Sequence, residues 1–168
     1  FIASNVGPEV ARNSTEHIER FPNNREDAFQ YDLVILGDVD SEFFTEEEFG
    51  LLEELVRDRG ASLLMLCGPM YSPTSYEGTP VQAMLPVNFE SDSQWEEVAE
   101  SVYPVLTPEG ASSLVMTLEN DPDRNDRVWS RMAPMNHLPA LQGAKPGATV
   151  LTVLSDSVDR DQGYPLVA

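Results

Sequence analysis

Cysteine is nearly absent. Cys67 stands alone among 168 residues, which excludes an internal disulfide framework and any metal site built from several thiolates. Cations are scarce as well: one lysine, Lys145, and nine arginines face 29 Asp and Glu, for a formal net charge of −19. Such a balance repels nucleic acid and anionic lipid. It favours solubility, cationic partners or divalent metals, and reads first as a solvated acidic surface. There are only two histidines, His17 and His137. No apolar run approaches the roughly 18 residues of a membrane span. A P-loop, a Gly-x-Gly-x-x-Gly turn and a His-rich cluster are all missing. No internal repeat or low-complexity tract is present.

What is present is enough apolar material for a core, 41% of the residues, in a length that suits one domain over 1–168 with a peripheral segment at 1–20. Arg25-Glu26-Asp27-Ala28-Phe29 predicts one helical turn capped by Asn23 or Asn24. Leu33-Val34-Ile35-Leu36 is aliphatic without alternation and predicts a strand buried on both faces, ended by Gly37. Thr45-Glu46-Glu47-Glu48 is a capping box; Phe49, Leu52, Leu55 and Val56 follow on one helical face, and Gly60 suits a left-handed cap. Ser62 to Cys67 predicts a second buried strand, ended by Gly68-Pro69. Strand, helix and strand in that order make a right-handed βαβ unit with parallel strands, whose carboxyl ends share the rim where open α/β sheets hold ligands.

Further on, Thr79-Pro80 opens a short helix that ends before Pro86. Trp95 to Val102 reads as helical. Leu106 to Gly110 reads as a strand end and turn. Asp121-Pro122 caps a helix carrying Val128 and Trp129, the latter read as core. Ala148 to Leu154 predicts a third strand, and Pro165 to Ala168 starts another. The chain opens on Phe1 without a signal-peptide pattern and closes on a strand-like run, so a fragment of a longer protein is expected.

Phe21-Pro22, Tyr31 to Val39, Phe44-Thr45, Arg59 to Leu66, Gly68-Pro69, Tyr76 to Pro80, Leu85-Pro86-Val87, Leu106 to Gly110 and Lys145 to Leu151 form an ordered series. In this series the chain resembles the class I glutamine amidotransferase-like domain of large bacterial membrane proteins, often found beside von Willebrand factor A-type modules. The resemblance implies a three-layer, mostly parallel, flavodoxin-like α/β fold, with the family's first and last strands outside the chain. It also implies a parent anchored in a bacterial inner membrane, whose other domains, or a separate protein, would be the partners. No cofactor is implied.

Active class I amidotransferases set a nucleophilic Cys in Gly-x-Cys-x-Gly and pair it with a late His-x-Glu. At Cys67 the flanking positions are Met65 and Pro69, and proline removes an N–H donor. His17 lies in the polar N-terminal segment rather than late in the chain, and His137 has no Glu two residues later. Cys67 therefore reads either as a small residue at a strand end or as a nucleophile completed by residues outside the chain. Asp38 and Asp40, after the first strand, suit Mg²⁺, Ca²⁺ or a polar ligand, or else a turn and cap. Gly68, Tyr71 and Tyr76 with the Ser and Thr between them would line a recess at the same rim, for a sugar or a peptide, or else form a surface loop pinned by aromatic packing. Asp156, Asp159 and Asp161 have a calcium-like spacing but lack the Gly and distal Glu of an EF-hand. The leading expectation is a non-catalytic binding or assembly module. The alternatives are a Cys67-dependent amidotransferase or hydrolase and a cation-dependent carbohydrate- or peptide-binding domain.

Overall fold

The computed structural model describes residues 20–90, 95–139, 141–155 and 164–168. Helices and strands are mixed, and the chain divides into two compact units, Phe1–Met84 and Leu85–Ala168. Among the described residues no helix is long and apolar enough to cross a membrane.

In the first unit, α1 (Arg25–Ala28) starts at Asn24, whose side chain accepts the Asp27 N–H. Then come β1 (Leu33–Leu36), a 3₁₀ turn (Ser41–Phe43), α2 (Glu46–Arg57) and β2 (Ser62–Met65). A second 3₁₀ turn (Thr74–Tyr76) leads to α3 (Pro80–Met84). The capping box of α2 forms in full: Thr45 Oγ1 accepts from Glu48 N at 3.2 Å, and Glu48 Oε2 accepts from Thr45 N at 2.8 Å. Buried Glu48 also meets Arg20 at 3.5 Å, so its charge is compensated. Phe49, Leu51, Leu52 and Leu55 are the buried stripe of α2. Phe44 packs against Phe21, Phe49 and Tyr76, with ring centroids 5.3–6.5 Å apart. Gly60 takes φ +79°, the left-handed value predicted for the helix end.

β1 and β2 pair in parallel, Leu33 with Ser62 through Leu36 with Met65, as a βαβ unit requires. Burial departs from expectation. Leu36 is buried, but Leu33, Ile35, Leu64 and Leu66 are 44–55% exposed. The paired register puts Leu33 and Ile35 on the same face as Ser62 and Leu64, and that face is open. An uninterrupted aliphatic run thus marks a strand able to be buried on both faces, while here only one face is covered.

The second unit holds β3 (Glu96–Val102), β4 (Pro104–Leu106), α4 (Pro108–Ala111), a 3₁₀ turn (Leu114–Met116) and α5 (Pro122–Trp129). Strands β5 (Met135–Leu138), β6 (Thr152–Leu154) and β7 (Pro165–Val167) follow. Here the expected mostly parallel sheet is replaced by antiparallel pairs, β3 with β5 and β4–β6–β7. Trp95 to Val102, read as helical, contributes strand β3 instead; pairing with β5 overrides a local pattern that suits either state. The predicted strand 148–154 is laddered only over β6. Before it, Leu151 O accepts the Thr107 N–H at 3.0 Å, and Gly110 packs so tightly on Leu151 O that no Cβ would fit. Val102, Leu138 and Leu154 form a core cluster, with Met135, Tyr164 and Leu166 against it.

Candidate functional site: a clasped rim

Parallel pairing brings the ends of β1 and β2 to one rim, and the segments after them are bonded together there. Asp38 is the centre. Its Oδ1 accepts from Tyr71 N at 2.7 Å and Ser72 N at 2.9 Å, and its Oδ2 accepts from Met70 N at 2.9 Å. Ser72 Oγ donates to Gly37 O at 2.9 Å, Tyr76 OH donates to Val39 O at 2.9 Å, and Ser41 N donates to Ser75 Oγ at 3.2 Å. The loop after β2 is thus wrapped round one carboxylate. Gly68 makes this possible, since a Cβ there would overlap the Asp38 carboxylate.

The sequence-predicted rim residues take different roles. Asp38 and Tyr71 are half-buried, and Gly68 is buried beneath the carboxylate. Tyr76, expected to line a recess, is fully buried in the aromatic core and supports the rim from within. Burial, followed by the charges of Asp40 and Asp38, pushes its phenol well above the usual range. Asp40 caps the turn Ser41–Phe43 by accepting the Glu42 N–H at 3.1 Å, the cap role its position also suited. Among the described residues, no group of three His, Cys, Asp or Glu side chains is arranged to hold a metal ion.

Cys67 keeps an exposed surface, and the surroundings of its thiol shift its pKa upward. Burial raises its pKa first, and the Asp38 charge raises it further. Both causes oppose the thiolate that a nucleophile requires. His137 lies exposed on β5 of the second unit, paired with Glu97. His17, Asp156, Asp159 and Asp161 lie outside the described residues.

Sequence reasoning missed the clasp, because nothing local links Asp38 to amides more than thirty positions later. It also missed Asn125, a buried polar residue of α5. Asn125 Oδ1 accepts from Leu118 N at 2.8 Å and Glu119 N at 3.2 Å, and its Nδ2 donates to Met116 O at 3.4 Å. Trp129 is half-buried, and its Nε1 donates to the same carbonyl at 3.0 Å. No protein-family model and no curated protein sequence matches the chain.

Proposed function

We propose that the chain is a non-catalytic, amidotransferase-like binding or assembly module of flavodoxin-like type, belonging to a larger bacterial membrane-associated protein. Its partners would be other domains of that parent or a separate protein, met at the rim of residues 38–41 and 68–78. The ordered sequence resemblance and the βαβ frame support the family side of this reading. The observation that carries the functional side is the clasp. The carboxylate at the end of β1 accepts three backbone N–H groups, and burial followed by the Asp38 charge raises the pKa of the neighbouring Cys67 thiol. The rim is built to hold a shape, and a nucleophile elbow needs the opposite: a thiolate beside free N–H donors.

The test is to incubate the full-length parent with an electrophilic diazoketone analogue of glutamine and measure intact mass. The expected result is no adduct at Cys67. Stoichiometric labelling that disappears in Cys67→Ala would overturn the proposal and restore the enzyme reading.

A further inference from the structure

The open face of β1 and β2 is a single surface. In the parallel register Val34, Leu36, Leu63 and Met65 share one face, where Leu36 is buried. Leu33, Ile35, Ser62 and Leu64 share the other. Leu66 extends that second row, because its N–H continues the ladder by donating to Leu36 O at 2.7 Å. Leu33, Ile35, Leu64 and Leu66 are 48%, 55%, 44% and 55% exposed. Ile35 is paired with Leu64, so the four side chains form one patch on adjacent strands about 4.8 Å apart. None of the five positions is charged, in a chain of net charge −19.

Scattered exposed aliphatics are ordinary. A contiguous row of them on a parallel pair is not, because parallel sheets are covered on both faces and two strands alone are marginal. The helices α1, α2 and α3 of the first unit leave this row open. Its chemistry restricts what can cover it. Apart from the Ser62 hydroxyl its side chains offer no hydrogen-bonding group, so a covering segment must satisfy its own backbone amides and carbonyls. A helix does that. A loop does not, and a strand added at an edge would leave the face bare. The dimensions agree, since two strands make a strip about 10 Å wide, the diameter of one helix.

Area and charge decide where the helix comes from. Four half-exposed aliphatics present well under the roughly 800 Å² per partner that a stable interface buries, so a free molecule would gain too little to offset its lost freedom. A second copy adds the repulsion between two chains that each carry −19. A segment tethered to the same polypeptide avoids most of that loss. We infer that this face carries, in cis, an amphipathic helix of the parent polypeptide from outside residues 1–168, with an uncharged aliphatic stripe set against Leu33, Ile35, Leu64 and Leu66. The inference rests on the reading that the chain is a module of a larger protein, and it concerns a face other than the rim.

The test is made on the full-length parent in a Cys67→Ala background. Cysteines are introduced singly by Ile35→Cys, by Leu64→Cys and, as an exposed reference on α2, by Glu47→Cys. Maleimide labelling at positions 35 and 64 should be at least about tenfold slower than at 47, with all three rates equal in urea. Benzoylphenylalanine in place of Ser62, exposed at the margin of the face, should cross-link on irradiation to residues of the same polypeptide outside 1–168, spaced three and four apart. The inference is overturned by labelling at 35 and 64 as fast as at 47, by cross-links confined to 1–168, by cross-links between isotopically light and heavy copies, or by a spacing of two. An adduct of the glutamine analogue at Cys67 would remove the non-catalytic reading and leave this inference standing, so the two fail separately.

Discussion

Removing the Asp38 carboxylate should loosen the rim by an amount that can be worked out bond by bond. In Asp38→Ala the three amides at Met70, Tyr71 and Ser72 lose their acceptor. Met70 is 69% exposed, so its N–H regains water at little cost, while Ser72 is 1% exposed and its N–H is left stranded. An orphaned buried donor costs about 1–3 kcal/mol, and each solvated loss about 0.5–1 kcal/mol. Together the variant should lose about 2–5 kcal/mol. Asp38→Asn keeps one carbonyl oxygen for Tyr71 and Ser72 and should lose only about 1 kcal/mol. Urea unfolding measures the total, and amide hydrogen exchange locates it, with the Ser72 amide expected to lose protection in the alanine variant but to keep it in the asparagine variant. An alanine variant within about 0.5 kcal/mol of the parent, the range of ordinary surface changes, with Ser72 still protected, would refute the clasp.

Other consequences follow from the same contacts. Gly68→Ala should displace the Asp38 carboxylate and destabilise the chain by at least about 1 kcal/mol, whereas Gly37→Ala, where a Cβ meets nothing within 4 Å, should cost clearly less; equal losses in urea melts would contradict the packing. Tyr76 has a raised folded-state pKa. Its share of stability is therefore fully present below the unfolded value near pH 10 and is lost as pH rises above it. Alkaline unfolding should begin there and be blunted in Tyr76→Phe, as read by tyrosinate absorbance against circular dichroism. Asn125→Ala removes the acceptor of the Leu118 and Glu119 amides, both on exposed residues, and should cost about 1–2 kcal/mol; a neutral result would show that the turn is not pinned as described. Ca²⁺ and Mg²⁺ should leave the melting temperature unchanged, since both Asp38 oxygens already accept N–H groups, and a rise at millimolar cation would speak for a metal at the rim.

The legible parts of this sequence were those in which neighbours along the chain determine the outcome. Thr45 and Glu48 form their box because they lie one helical turn apart, and Asn24, Asp121 and Gly60 act as caps or helix ends for equally local reasons. The parallel pairing of 33–36 with 62–65 was also readable, because a helix connecting two short aliphatic runs leaves little choice. Burial was not readable. Leu33, Ile35 and Leu64 look like core residues, yet their exposure depends on what covers the sheet, which no local pattern encodes. Trp95 to Val102 failed for a related reason, since its strand state depends on a partner more than thirty residues away. Tyr76 was placed at the rim by its position after β2, but the preceding turn directs its ring into the core. The clasp itself combines a carboxylate and amides that share no motif.

The central claim, that the rim is a braced surface beside a thiol of raised pKa, is tested most directly by the pH dependence of Cys67 alkylation. With iodoacetamide and the folded protein, the rate should titrate with an apparent pKa above the roughly 8.5 of a free thiol, because burial and the Asp38 charge both oppose the thiolate, and it should fall toward the free-thiol value in Asp38→Asn. A midpoint near or below neutrality would mean an activated nucleophile at Cys67 and would contradict the account.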